Sequence, residues 1–385
     1  MSFIVTSGGT AGHINPALAV AAELERLDKE VIFAGSTGGM EKHLAQSAGL
    51  QYRAFDARGF NRQKPWTLLT SSLLLARSTT AARRWLTEVQ AQAVAAFGGY
   101  VSVPVGRAAV QLGIPLLIHE QNSHMGWSNK HLSKHADVIA LSYEAALEGL
   151  SVDVRERVKI TGNPVRPEFS ALLDPEKASK LRREFRQQSG WEDDNQVLLV
   201  FGGSQGARHL NQAVAKLAPQ LLKRPKLCVL QLTGLKELEN TEAALQQVLG
   251  QDDRGAGARE ELSSRWHLLG YCDQMPAAFA AADIVVSRAG ASSLAELAVA
   301  AKPALLIPFP YATADHQRKN AESLVKVGAA QMVLDSNLDG EQFSRALLDL
   351  IDDPACYQSM LKAAQTVSHG DAATQVAELL LTIAS

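Results

Sequence analysis

His13 closes the glycine-rich run Gly8-Gly9-Thr10-Ala11-Gly12, directly after the apolar stretch Phe3 to Ser7. An imidazole titrates near neutrality, so at the carboxyl end of a strand it can take a proton from a hydroxyl; it can also merely cap or pack. The run Ile118-His119-Glu120-Gln121-Asn122 sets four hydrogen-bonding side chains in succession after the strand Pro115 to Ile118. Packing alone does not explain four polar groups at a strand's exit, and such groups line sites. The run Arg288-Ala289-Gly290-Ala291-Ser292-Ser293 follows the strand Asp283 to Ser287 and leads into a helix carrying Glu296. A carboxylate there can accept both hydroxyls of a ribose, although Ser293 and Glu296 also have the spacing of a capping box.

Anion chemistry is the second theme. Gly202-Gly203-Ser204-Gln205-Gly206 repeats the glycine spacing of the first loop. A glycine turn between strand and helix lets backbone N–H groups and the positive helix end meet a phosphate; the alternative is a tight turn needing positive φ. Nicotinamide and flavin binding are not indicated, because G-x-G-x-x-G is missing and no carboxylate follows the second strand, Val31 to Ala34, before Glu41. The Walker phosphate loop is missing too. No D-x-D occurs to clamp a divalent cation on a nucleoside diphosphate, which leaves leaving-group charge to helix dipoles and Arg166. His131 and His135 have helical spacing but no third ligand, and read as a solvated helix face.

The elements that must position these groups follow from an alternation of β-rich apolar runs with Ala/Leu-rich helical stretches. That is the pattern of an α/β chain with parallel sheets covered on both faces. The first helix is predicted over Pro16 to Leu27, with Asn15 as cap and Pro16 at its first position. A second strand-loop-helix opening is predicted from Val197 to Phe201 and Ala207 to Leu222. Gly162-Asn163-Pro164-Val165-Arg166-Pro167 breaks the chain between the two halves, a charged surface helix is expected within Glu176 to Asn195, and Asp371 is placed to cap a last helix, Ala372 to Ile383.

The 385 residues suit two or three domains, and 46% hydrophobic with 20% charged residues is a soluble globular composition. A net charge of −2 offers no global field for nucleic acid. Cys228, Cys272 and Cys356 lie far apart and suggest a reducing compartment. No signal-peptide pattern and no apolar run of spanning length is visible. Between Ala57 and Thr87 there is no acidic residue, while Arg58, Arg62, Lys64, Arg77, Arg83 and Arg84 alternate with Phe60, Trp66, Leu73, Trp85 and other apolar side chains. Such a stretch can rest on anionic lipid, or its leucines can face an ordinary core.

Taken together, these segments resemble the MurG family, bacterial glycosyltransferases that add N-acetylglucosamine to lipid I to make lipid II for peptidoglycan. The resemblance runs nearly end to end. It rests on Gly8 to His13, Phe97-Gly98-Gly99-Tyr100-Val101-Ser102, His119-Glu120-Gln121-Asn122, Gly162-Asn163-Pro164-Val165-Arg166, Gly202 to Arg208 and Gln317-x-x-Asn320-Ala321. The family commonly shows G-G-T-G-G-H, so Ala11 is a departure, as is the loop Pro310 to Asp315.

The resemblance implies two doubly wound Rossmann-like domains facing a cleft, the GT-B architecture. Residues 1–163 would take the acceptor and the membrane, with terminal helix 370–385 packing back on them, and residues 164–369 would bind UDP-N-acetylglucosamine. It implies Glu296 as the ribose ligand, with Ala291, Ser292, Ser293, Leu294 and Ala295 lining the nucleotide beside Cys272, whose backbone would contact uracil. Ser204 would hold the diphosphate with Arg166 nearby, and Gln317 the sugar hydroxyls. Thr10, Ala11, Gly12 and Asn122 would approach the donor from the other domain. The reaction expected on that basis is a metal-independent, cofactor-free inverting displacement with His13 as base and Glu120 in reserve, because a carboxylate can do the same work where its surroundings raise its pKa. Implied partners are UDP-N-acetylglucosamine, lipid I, the anionic cytoplasmic membrane surface through residues 57–87, and proteins of cell-wall synthesis and division, with no nucleic acid. The implied location is peripheral, on the cytoplasmic face of the bacterial inner membrane. Two rivals stay open: a UDP-sugar 2-epimerase of the same architecture, and a non-catalytic sugar-nucleotide-binding scaffold.

Overall fold

Short strands without a polar side can be stable only where both faces are covered, and the computed structural model covers them with helices. It describes residues 2–57, 67–203, 207–250, 264–312, 315–367 and 370–385. The chain divides into two compact units, Met1–Pro167 with His369–Ser385, and Glu168–Ser368.

In the first unit, β1 (Phe3–Thr6), β2 (Val31–Ser36), β3 (Gln51–Phe55), β4 (Ala93–Ala96), β5 (Leu116–Glu120), β6 (Val138–Leu141) and β7 (Val158–Ile160) form one parallel sheet. Its order is β3-β2-β1-β4-β5-β6-β7. Alternate residues point to opposite faces, giving two cores. Ile4, Ile32, Val94, Ile118 and Ile139 pack against α3 (Thr67–Glu88) and α4 (Ser102–Leu112). Phe3, Val5, Phe33, Ala95 and Leu117 pack against α1 (Ala11–Arg26) and Ala45 of α2 (Glu41–Ser47), and the same core takes Val376, Ala377 and Leu380 of the terminal helix (Ala372–Ala384).

The second unit repeats the scheme with β8 (Gln196–Phe201), β9 (Leu227–Leu232), β10 (Trp266–Leu269), β11 (Ile284–Ser287), β12 (Ala304–Leu306) and β13 (Ala330–Met332), ordered β10-β9-β8-β11-β12-β13 and parallel throughout. In both sheets the strand order reverses beside the opening strand, at β1/β4 and at β8/β11. Open parallel sheets receive ligands at the carboxyl ends of the strands flanking that point.

Several predicted boundaries move. Helix α1 begins at Ala11, not Pro16, because Thr10 is already extended (φ −126°, ψ 156°) and its carbonyl accepts from His13 and Ile14 N–H at 3.0 and 3.1 Å. Pro16 therefore lies inside the helix and forfeits one backbone bond, and Asn15 is not the cap. Gly12 and His13 enter the first helical turn. The helix predicted from Ala207 to Leu222 is two, α5 (Arg208–Lys216) and α6 (Ala218–Leu221), because Pro219 cannot donate across Leu217. The charged helix spans Pro175–Gln188 with Asp174 as its cap, and Arg186 within it is fully buried, bonded to Asp283 Oδ2 at 2.8 Å. His131 lies in the short helix Trp127–Leu132, stacked on Trp127 at 5.5 Å, while His135 lies beyond its end, so the two do not share a helix face. Asp371 stands at the start of the last helix, but its side chain accepts from Gln375 Nε2 at 2.7 Å and makes no cap bond.

Candidate active site

The first unit gathers its polar groups where β1, β4 and β5 end. Strand β5 runs to Glu120, so His119 and Glu120 belong to the strand and do not follow it. The loop after β4 presses on the loop after β1. Gly99 is at φ +81°, and a Cβ there would lie 2.2 Å from Gly8 O, so only glycine fits. Ser102 Oγ fixes that crossing by donating to Gly98 O at 2.6 Å. Gly9, at φ +98°, turns the chain toward solvent-exposed Thr10, and Ala11, Gly12 and His13 are half-buried behind it.

His13 Nδ1 meets Gln121 Oε1 at 2.6 Å, although 108 residues separate them in the chain. Gln121 is fully buried; its Nε2 donates to His119 O at 3.0 Å and lies 3.1 Å from His119 Nδ1. His119 Nε2 lies 3.1 Å from Gly162 O. Burial pushes the His119 pKa down from 6.5 to about 4, so the ring is neutral at physiological pH.

Glu120 has a different use. It is fully buried; Oε1 accepts from Asn122 N at 3.0 Å and Asn122 Nδ2 at 3.2 Å. Oε2 accepts from Gly126 N and Asn129 Nδ2, both at 2.9 Å. Four donors engage its oxygens, and the carboxylate holds the 121–126 loop in shape. That is a poor setting for the reserve base, which needs a free lone pair facing substrate. Asn122 is half-buried beside it.

In the second unit, the helix after β11 (Ala291–Ala300) starts behind an extended Gly290 (φ −67°, ψ 143°). Gly290 occupies the cap position, so Ser293 is the third helical residue and not the cap. The capping-box reading of Ser293 and Glu296 therefore fails. Ala291 and Leu294 are buried, Ser292, Ser293 and Ala295 half-buried, and Glu296 is buried at 7% exposure. The helix's opening N–H groups and its Glu296 carboxylate thus share the carboxyl end of β11.

Gln317, in the helix His316–Lys326, draws two loops together: its Oε1 accepts from Ala289 N at 3.2 Å and Phe309 N at 2.9 Å. Its acceptor is thus committed to the backbone of both loops. Cys272 follows β10, at the edge of the sheet, and burial pushes its thiol pKa up. Ser204 lies outside the described residues; Gly203 before it is at φ +80°. Arg166 is half-buried at the end of the first unit. Among the described residues no three His, Cys, Asp or Glu side chains converge as a metal site.

Reading the sequence missed three contributors. Gln121 was part of a noted polar run, but nothing in the chain marks its partner as His13. Asn129 holds Glu120 from a later helix. Arg288, buried at 7% exposure, donates to Ile307 O and Pro308 O, pairs with Asp335 at 2.5 Å, and fixes the loop that Gln317 also grips.

The chain is similar in sequence and fold to known proteins. The N-terminal domain model of glycosyltransferase family 28 matches residues 3–141, and its C-terminal domain model matches residues 197–376. A Halothermothrix orenii protein named UDP-N-acetylglucosamine--N-acetylmuramyl-(pentapeptide) pyrophosphoryl-undecaprenol N-acetylglucosamine transferase is 34% identical, over 95% of this chain and 94% of its own. The crystal structure of Acinetobacter baumannii MurG aligns with a TM-score of 0.75 at 26% identity, covering 99% of this chain and 100% of that one. The Neisseria meningitidis UDP-GlcNAc 2-epimerase bound to UDP-GlcNAc aligns at 0.65 and 17% identity, covering 99% and 100% of the two chains, which is a likeness of fold alone.

Proposed function

The chain belongs to the MurG family of glycosyltransferases, with the two-domain GT-B fold, and on that premise we infer the reaction it performs. It transfers N-acetylglucosamine from UDP-N-acetylglucosamine to the C4 hydroxyl of the muramoyl sugar in undecaprenyl-pyrophosphoryl-MurNAc-pentapeptide, lipid I, and so forms lipid II for peptidoglycan.

The displacement inverts the anomeric centre. His13 takes the C4 hydroxyl proton, the oxygen attacks the anomeric carbon, the bond from that carbon to the diphosphate oxygen breaks, and UDP departs. The choice of base is carried by one contrast: four donors engage the Glu120 oxygens, whereas His13 commits Nδ1 to Gln121. Charge growing on the diphosphate is met by the glycine loop at Gly202, with Ser204, by the N–H groups opening the Ala291–Ala300 helix, and by Arg166; such donors are each worth ~10²–10³ in rate. Glu296 takes the ribose hydroxyls, Ala291 to Ala295 and the Cys272 backbone the remainder of the nucleoside, and the Gln317 amide nitrogen a sugar hydroxyl. In the first unit, Thr10, Ala11, Gly12 and Asn122 are the residues that contact substrate in this reading.

Attachment to the anionic cytoplasmic surface of the inner membrane is part of this reading, with proteins of cell-wall synthesis and division as neighbours there. Its support is local. Along α3, Leu73 is 58% exposed and Arg77, Arg83 and Arg84 face solvent, whereas Ala82, Trp85 and Leu86 are buried in the core. The apolar stretch thus divides between core and surface, and its residues 58–66 lie outside the described ones. Among the described residues no helix is long and apolar enough to cross a membrane.

The test is His13→Ala, assayed for transfer to a lipid I analogue. Turnover falls by ~10²–10⁴ if His13 is the base; turnover within a few-fold of the parent removes it from that role.

A further inference from the structure

An imidazole acts as a base only through the nitrogen that lacks a proton, so which nitrogen of His13 carries the hydrogen decides whether it can work. We propose that Gln121 and His119 are positioning residues that lock His13 in its Nδ1–H tautomer, so that Nε2 carries the lone pair that receives the acceptor's proton. The proposal rests on the reading of His13 as the base.

The lock follows from groups with only one possible role. The Gly162 carbonyl can only accept, so His119 Nε2, 3.1 Å away, is the protonated nitrogen of that ring. In a neutral ring His119 Nδ1 is then bare, and it accepts from Gln121 Nε2 at 3.1 Å. The second N–H of that amide goes to His119 O at 3.0 Å, another group that can only accept. Both bonds orient the amide the same way, with Oε1 aimed at His13. A carbonyl oxygen cannot donate, so the 2.6 Å contact requires a hydrogen on His13 Nδ1. A neutral His13 is therefore bare at Nε2.

The chain resists reversal. Turning the Gln121 amide over would set its oxygen against His119 O and His119 Nδ1, two acceptors at once. Protonating His119 would put a hydrogen on the nitrogen that must accept, and burial, holding its pKa near 4, prevents this at neutral pH. The bond to Gly162 O and the Phe97 ring, 5.3 Å from the imidazole, hold the His119 ring in place. A neutral amide also suits the work differently from a carboxylate. It orients the ring through a hydrogen bond without placing a second charge beside it.

The experiment is nitrogen NMR of the histidine-labelled full chain at neutral pH, with His13 assigned by its loss in His13→Ala. In the parent, His13 shows Nδ1 protonated and Nε2 bare. In Gln121→Met the ring shifts toward the Nε2–H form favoured in water, and kcat falls by ~10- to 100-fold with KM for UDP-N-acetylglucosamine within about twofold. A parent spectrum showing His13 protonated at Nε2, or a folded Gln121→Met with the parent's tautomer, overturns the lock. His119→Asn supplies a second variant, and the parent spectrum decides even if neither folds. A merely structural Gln121 would alter melting temperature without moving the tautomer. Failure of the base reading is separately visible: His13→Ala would keep its turnover while the parent's tautomer stood as stated.

Discussion

Glu120→Gln distinguishes a carboxylate that holds a loop from one that moves a proton. The native oxygens accept four hydrogen bonds, two each, at 2.9 to 3.2 Å. A glutamine keeps one oxygen and places an NH₂ group where the other was. Whichever way it turns, two donors lose an acceptor and face another donor inside a fully buried site. Hydrogen bonds to a charged group are worth ~1.5–3 kcal/mol each, so losing two costs about 3–6 kcal/mol. At ~2–4 °C per kcal/mol for a domain of this size, melting falls by about 6–24 °C. Calorimetry of the variant checks that figure. Transfer kinetics at a temperature where it stays folded should show kcat reduced by only about tenfold, through a loosened loop carrying Gln121 and Asn122. A melting temperature within ~2 °C of the parent together with a kcat lower by ~10²–10⁴ would refute this and restore Glu120 as the base.

Glu296→Ala should weaken UDP-N-acetylglucosamine binding by ~10- to 100-fold in titration calorimetry, and an unchanged affinity would exclude a ribose contact. His119 is neutral in the fold with a pKa near 4 but protonates near 6.5 when unfolded, so the unfolded chain binds more protons between those values. Its contribution is whole above pH 6.5 and declines toward pH 4 by about 3 kcal/mol; urea unfolding at pH 5 and 7 should show a pH slope that His119→Asn removes. His209 acts in the opposite sense. Hydrogen bonding to Asp335 raises its pKa, so its contribution is present below about 6.5 and fades as pH rises through the folded value. Reversing the charges of Arg77, Arg83 and Arg84 should release the protein from anionic vesicles by ~1 kcal/mol per neutralised charge or more, and unchanged sedimentation would rule out this face as the contact.

Local chemistry wrote much of the fold into the chain. The alternation of apolar runs and helices gave both parallel sheets, and the glycine loops at Gly8 and Gly202 fall at the strand-order reversals, where backbone must approach a ligand. Boundaries failed where a local signal met a competing one. Asn15-Pro16 is a good helix start, but an extended Thr10 supplies one five residues earlier. Ser293 and Glu296 have capping spacing, yet Gly290 already occupies the cap. The His13–Gln121–His119–Gly162 chain was illegible because it is made of contacts between the first turn of α1, the end of β5 and the segment after β7, and only the strand order of the sheet brings those residues together. Nor could sequence tell a paired Glu120 from a free one, since its donors Gly126 and Asn129 come from the end of the following loop and the helix after it, which only the fold brings back to the carboxylate.

The most direct measurement follows labelled sugar from UDP-N-acetylglucosamine onto a synthetic lipid I analogue, with a chelator present and a donor-only control alongside. Label should appear on the acceptor, one UDP should be released per sugar moved, the chelator should change nothing, and the donor alone should be left intact apart from slow hydrolysis. Conversion of the donor to its 2-epimer without acceptor, or no label on lipid I while the sugar nucleotide binds, would contradict the assignment of this chain as the transferase.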